Sequence, residues 1–380
     1  MKQLPLHEVH KQLGATMGPY AGFLMPLRYA GENTEHVAVR HQVGIFDVSH
    51  MGEFFFEGPN AADGLNYLTI NDVRKLKIGK AQYSALLNEE GGILDDVIVY
   101  RLAENHYLMV VNAANIEKDW NWIVSHKQEG VEIRNESEAY CLFAVSGPSS
   151  VGLMQKVVGD QLDVEKMAYY SCVSEGVRIN GTSNLLIATT GYTGERTFEI
   201  FVPVEHAEKV WNRLLEEGQE FRIQPAGLSI RDTLRLEMGY LLYGNDIHEK
   251  VTPLEAGLDA FIKWDKGEFI GKQALLEQKK RGVAYRLWGV KAIERGIPRK
   301  ETKLFNPDGY QIGILTSGGY SPSLRTGIGL GYFQADSVEE GSIVFAQIRD
   351  KAVKCEVVKP PFLASTSLLR WLKKEVHASN

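Results

Sequence analysis

Apolar and polar positions alternate along this chain in two mixed helix–strand blocks, followed by a strand-rich end. Residues 5–14 and 33–42 ("NTEHVAVRHQ") carry apolar positions at helical spacing, the second with Asn33 or Thr34 placed as N-cap. "GIFDVSHMGEFFFEG" (44–58) alternates as a strand and stops at Gly58-Pro59. "NAADGLNYLTI" reads as a helix. "QYSALLNEEGGILDDVIVYRL" reads as two strands joined by a Glu-Glu-Gly-Gly turn, "HYLMVVNAAN" as a third, and "IEKDWNWIVSHK" as a helix. The second block repeats the mixture. "AYCLFAVSGP" is a strand and "SSVGLMQKVV" a helix. "SCVSEGVRIN", "SNLLIATTGY" and "RTFEIFVP" are strands, and helices follow at 205–218 and 229–241. After the charged stretch "LLEQKKRGVAY" the periodicity shortens. "RLWGVKAI", "LFNPDGYQIGILTSGGYSPSL", "GIGLGYF" and "SIVFAQIRDKAVKCEVVKP" are short strands with frequent turn signals, the pattern of a small sandwich or barrel. The tail "SLLRWLKKEVHASN" reads as a loose basic helix.

At 380 residues the chain exceeds what one core usually serves, so two or three domains are expected. A net charge of −6 argues against a nucleic-acid protein, whose signature is a concentrated basic face. Three widely spaced cysteines, Cys141, Cys172 and Cys355, imply a reducing compartment without a disulfide framework. The start lacks a secretory core, nothing like a transit leader precedes the first helix, and no stretch approaches membrane-spanning length. A cytoplasmic protein of bacterial type is the expectation.

Several motifs fail for want of context. "GIGLGY" has no helix after it to complete a dinucleotide cradle, and no histidine pair has metal-ligand spacing. His50, in "DVSHMGE", reads as a satisfied structural histidine, and no cysteine sits in an activating setting.

Three segments keep chemistry in play. "GGILDDVIVY" places Asp95 and Asp96 side by side. In an extended strand they point to opposite faces, so only one can face a pocket and the other is a turn or surface group; a hairpin that uses Asp for local hydrogen bonds is the bland alternative. "TTGYTGERTFEIF" carries Glu199 between Phe198 and Ile200, with its side chain on the face away from them; a solvent-facing residue is the bland alternative. In "GLSIRDTLRLEMGYLLYGNDI", Arg231 and Arg235 lie one helical turn apart. Taken alone they read as surface partners of Asp232 and Glu237.

These segments, with "FDVSHMGEF", "VVNAANIEKD", "TPLEAGL", "TSGGYSPSL" and "VVKPPF", resemble in the same order the aminomethyltransferase, or T-protein, family of the glycine cleavage system. The resemblance spans residues 5 to 362 and implies an α+β fold of three domains in a cloverleaf around a central folate cavity. Two mixed domains with mainly antiparallel sheets would occupy 1–275, the chain crossing between them near 50 and 138. A β-rich barrel-like domain would occupy 276–363, and 364–380 is the tail. The implied reaction moves the methylene of an aminomethyl group from the lipoyl arm of the H-protein to tetrahydrofolate, without a metal. By the same resemblance Asp96 is the catalytic carboxylate, Glu199 takes the pterin edge, and Arg231 belongs to the folate site. Tyr83, Tyr100, Asn112, Tyr192 and Met51 line the slot. Two departures touch the entrance and the folate site respectively. "TMGPYAGFLMPLRY" replaces the more usual "FAGW.MP" form, and "PPFLASTSLL" lacks the tyrosine some relatives carry there. The rival readings are a folate-dependent methyltransferase or demethylase of the same superfamily, and a non-catalytic folate-binding protein. The latter is disfavoured by the absence of a cysteine in "TGYTGERTFE".

Overall fold

The structure, a computed structural model, describes residues 1–378, with side chains described through Glu375; the last two residues of the tail lie outside them. Two large sheets, a small three-stranded sheet near the N-terminus and a barrel organise the described residues. The first sheet has five antiparallel strands in the spatial order Lys80–Leu87, Ile93–Ala103, His106–Val111, Gly52–Glu57, Glu132–Asn135. The second has six, in the order Cys172–Val173, Leu186–Ala188, Thr197–Pro203, Tyr140–Ser146, Gly44–Asp47, Gln224–Pro225, with only the last pair parallel. The strands from Tyr285 to Val358 close into a six-stranded antiparallel barrel.

The stretch 44–58 is not one strand. Gly44–Asp47 pairs with Tyr140–Ser146 in the six-stranded sheet, and Gly52–Glu57 pairs with His106–Val111 in the five-stranded one. The break falls at Val48–Met51, where Asp47 Oδ1 accepts hydrogen bonds from the Ser49 amide (3.0 Å) and hydroxyl (2.5 Å) and turns the chain. A second exchange between the sheets lies between Glu132–Asn135 and Tyr140–Ser146.

Helices cover the outer faces of both sheets. Ala207–Gly218 buries Val210, Trp211 and Leu214 against Phe143, Phe198 and Ile200 of the six-stranded sheet. Ile116–Ser125 and Ala61–Leu68 cover the five-stranded sheet, burying Ile123 and Leu65 with Phe54, Val97 and Val99. The inner faces pack on each other through a shared cluster that includes Phe55, Tyr100, Leu108, Leu142, Ala144 and Phe201. Strand parity therefore decides which side chains meet between the sheets.

The helix Leu228–Glu237 ties the parts together; Asp232 is exposed and paired with Arg235 as expected, but the surface reading fails for Arg235 and Glu237. Arg235 is 1% exposed and donates to Asp246 Oδ2 (2.7 Å) and to Ser317 Oγ on the barrel (2.8 Å), besides Asp232 (2.8 Å). Glu237 is fully buried and paired with Arg40 (2.8 Å), while Ser321 Oγ of the barrel donates to its other oxygen (2.5 Å). Arg235 and Glu237 are both buried with their partners in place, the condition under which such a network holds a unique packing.

Four further differences have local causes. The helix expected at 33–42 runs Glu32–His41 from Gly31, without a side-chain N-cap; Glu35 instead accepts from the amides of Tyr29, Gly31 and Gly227. Thr16–Tyr20 and Phe23–Arg28 form a hairpin that the sequence reading left without structure. Of "SCVSEGVRIN" only Cys172–Val173 is strand. The tail helix Ser367–Ala378 is not loose. Glu195 Oε2 accepts from the Ser367 amide (2.7 Å), and the Arg196 guanidinium stacks 4.2 Å from the Trp371 ring.

Candidate active site

The Gly-Gly turn sets the first carboxylate pair in place. Gly91 is left-handed (φ +83°), and a Cβ on Gly92 would stand 1.8 Å from the Glu249 carbonyl oxygen, so the chain closes here only with glycine. The strand that follows is pinned by Ile93 N–H to Val251 O (2.9 Å) and by Lys118 Nζ to Leu94 O (2.6 Å).

From there alternation takes over. Val97 and Val99 face the helix-covered side, and Ile98 and Tyr100 face the six-stranded sheet. Asp95 falls on the first side and Asp96 on the second. Asp96 is half-buried. Its Oδ2 accepts from Tyr83 Oη (3.1 Å) and its Oδ1 from Asn112 Nδ2 (2.9 Å). Burial, and then the charge of Asp95, push its pKa up to about 7.

Asp95 is not a turn or surface group. It is fully buried and accepts from Asn112 N (2.9 Å), Asn112 Nδ2 (2.9 Å) and Asn115 Nδ2 (2.6 Å). Asn112, just past the end of its strand, thus bridges the two aspartates across the strand end.

Across the interface, Glu199 shares its face with Phe201, while Phe198, Ile200 and Val202 face the outer helix. It is 6% exposed, so the solvent-facing alternative is excluded. Among the described residues its one side-chain hydrogen bond comes from Thr190 Oγ1 (2.5 Å), itself bonded to Tyr100 Oη (2.7 Å). Burial raises the Glu199 pKa, and Arg231 opposes the shift.

Arg231 lies over the Tyr192 ring, 5.0 Å from its centroid, and its Nη1 is buried with no hydrogen-bond partner among the described residues. Among the described residues no hydrogen bond joins it to Asp96. Tyr192 Oη donates to Leu241 O, and Met51 packs against the inter-sheet cluster. His50 is also buried here, edge-on to Tyr20 and Phe23 of the N-terminal hairpin. Among the described residues no hydrogen bond is made at its Nδ1, while the Val48 backbone lies within reach of the ring. Burial, and then Arg231, hold its pKa down to about 3, and the ring stays neutral.

The sequence reading missed Thr190, which links Tyr100 to Glu199. It also missed Tyr170, whose phenol feels the charges of both Glu199 and Asp96. Neither stands out by spacing; Thr190 adjoins the "GYTGE" turn, the one local signal. A separate cleft of about 350 Å³, lined by Lys250, Glu255, Tyr285, Ile312 and Tyr332 among others, lies on the barrel flank and holds none of these groups.

The two facing sheets thus carry the Asp96 carboxyl, with its pKa near 7, on one and the buried Glu199 on the other, with Arg231 of the helix Leu228–Glu237 beside Glu199. The family models for the GCVT N-terminal domain and the glycine cleavage T-protein C-terminal barrel domain match residues 6–266 and 286–363. The aminomethyltransferase of Flavobacterium psychrophilum is 48% identical over 95% of this chain and 99% of its own length. That of Bacteroides thetaiotaomicron is 46% identical over the same shares. The crystal structure of glycine cleavage system aminomethyltransferase T from Bartonella henselae superposes with a TM-score of 0.88 at 35% identity, covering 95% of this chain and 98% of that one. The chain belongs to the aminomethyltransferase (T-protein) family of the glycine cleavage system. It is an aminomethyltransferase, and neither rival reading is favoured. Among the described residues no helix is long and apolar enough to cross a membrane.

Proposed function

We propose that the protein takes the methylene of an aminomethyl group carried on the lipoyl arm of the H-protein and joins it to N5 and N10 of tetrahydrofolate. The C–S and C–N bonds of the aminomethyl group break, and two bonds to folate nitrogens form. The two protons shed by N5 and N10 end on the lipoyl sulfur and the departing ammonia. The exchange balances without a metal or a redox cofactor.

The observation that carries this reading is the placement of Asp96 and Glu199 on facing sides of two sheets. A carboxyl with a pKa near 7 accepts and returns protons efficiently near neutrality. As the carboxylate, Asp96 also stabilises the iminium charge that develops as the C–S bond opens. Glu199 is suited to accept the pterin 2-amino and ring N–H pair in bidentate fashion. The unpartnered Nη1 of Arg231 supports placing that residue on the folate side rather than behind Asp96. Tyr83 and Asn112 orient Asp96, Tyr100 orients Glu199 through Thr190, Tyr192 offers Arg231 its ring face, and Met51 is an apolar wall. Three buried, unpaired thiols fit a reducing compartment such as the cytoplasm. The test is ammonia release from aminomethylated H-protein with and without tetrahydrofolate. Strong folate dependence is expected; release that ignores folate overturns the reading.

The carrier must bring its arm to this interface. Of the basic run before Tyr83, Arg74 pairs with Asp63 (2.5 Å) and Lys75 with Asp72 (3.1 Å), whereas exposed Lys77 has no carboxylate partner among the described residues. If this run steers an acidic carrier, Lys77→Glu raises the KM for the carrier at low ionic strength, leaves folate affinity unchanged, and loses its effect as salt screens it. Carrier titrations at two salt concentrations check this, and an unchanged KM at low salt places the docking surface elsewhere.

A further inference from the structure

Behind the strand that carries Asp95 and Asp96 lies a third carboxyl group. Asp119, on the helix Ile116–Ser125, is 0% exposed, and neither of its oxygens meets a hydrogen-bond donor among the described residues. The group within its reach is the carboxyl of Asp95. Two buried carboxylates face to face repel, and a proton between them turns the contact into a hydrogen bond. The donors around the pair decide which group holds that proton. Asp95 accepts three hydrogen bonds, from Asn112 N, Asn112 Nδ2 and Asn115 Nδ2, all of which stabilise its charge. Asp119 accepts none of these. The three carboxyls do not form a metal-holding group among the described residues.

We propose that Asp119 is a positioning residue for the transfer: it stays protonated, donates that proton to Asp95, and so keeps Asp95 anionic next to Asp96. The proposal rests on Asp96 being the proton-handling group. The groups facing the cluster agree with this arrangement. Asp95 and Asp96 come from the strand, and Tyr83 from the neighbouring strand. Lys118 lies on the same helix as Asp119 and is already engaged by Leu94 O (2.6 Å), Tyr243 Oη (2.8 Å) and Glu249 (3.3 Å). Tyr243 and Glu249 come from the segment after Leu228–Glu237. Burial, and then the Asp95 charge, raise the Asp119 pKa; Lys118 opposes them. The anionic Asp95 is in turn the charge that raises Asp96. Asp119 thus acts on the reaction only through Asp95.

Two variants and one spectrum test this. Asp119→Asn keeps a donor toward Asp95, so the acid break in kcat against pH stays where it is in the unmodified protein. Asp119→Leu removes the donor, and Asp95 takes up the proton itself. Asp96 then loses its charged neighbour, and the break moves down by about one pH unit. Difference infrared spectra at mildly alkaline pH show a protonated-acid carbonyl band that Asp119→Asn lacks. Absence of that band overturns the proposal. So does a downward shift in Asp119→Asn, or a fall in Tm with no shift in Asp119→Leu. If Asp119→Leu does not fold, the Asn variant and the infrared band decide. If instead Asp96→Asn retains the acid break while the band persists, the assignment of Asp96 fails and the protonation of Asp119 stands.

Discussion

Asp96→Asn leaves the fold intact and slows methylene transfer by roughly 10²–10⁴-fold, the range spanned by a positioned acid–base group. The fold survives because the amide oxygen still accepts from Tyr83 or from Asn112 Nδ2, losing one of the two bonds, while Asp95 keeps its bonds from Asn112 N and Asn115 Nδ2. The rate falls because an amide neither takes up a proton nor carries the charge that stabilises the iminium. The pH dependence fixes the sign. The active form is the carboxylate, and its pKa is raised to about 7, so kcat rises as pH passes upward through that value and levels off above it. In Asp96→Asn the residual rate loses that break. Ammonia release measured across pH, on both proteins, checks the two statements together. An Asp96→Asn enzyme with near-normal turnover removes Asp96 from the chemistry.

Glu199→Ala weakens tetrahydrofolate binding by about 1.5–3 kcal/mol, roughly ten- to a hundredfold in Kd, the scale of hydrogen bonds to a charged group. The argument comes from its surroundings. Glu199 is buried and, among the described residues, takes one side-chain hydrogen bond, from Thr190, with the Arg231 charge nearby. That leaves acceptor capacity for two donors on a ligand edge. Glu199→Gln separates charge from shape. It keeps the side chain's size but turns half of the acceptor edge into a donor, so it also loses affinity. Calorimetric titration with tetrahydrofolate reads both variants, and unchanged affinity in both rules Glu199 out of the site. Glu195, four residues earlier in the same motif, is a different case. Its carboxylate is committed to Arg40 (2.9 Å) and Ser367 (2.7 Å), so replacing it disturbs the packing of the tail rather than the folate edge.

Local pattern determined much of this protein. Period-two alternation put Asp95 and Asp96 on opposite sides of one strand. It put Glu199 on the side away from Phe198 and Ile200, and both placements hold because pleat geometry is set residue by residue. Turn chemistry located the Gly-Gly hairpin, and the ordered run of motifs carried the family resemblance across nearly the whole chain. Tertiary structure alone decided what lies across from each of those faces. An isolated strand does not reveal that 44–58 divides between two sheets, because its alternation continues through the break at Val48–Met51. Nor does a helix with charges at 231, 235 and 237 reveal that Arg235 reaches a barrel serine 82 residues away while Glu237 meets an arginine 197 residues earlier. The same holds for Asp119. On its helix it reads as an ordinary charged residue, and only the packing of that helix over Asp95 gives it a partner. Periodicity reports which side chains share a face; burial and pairing depend on contacts between distant segments, which exist only once the chain has folded.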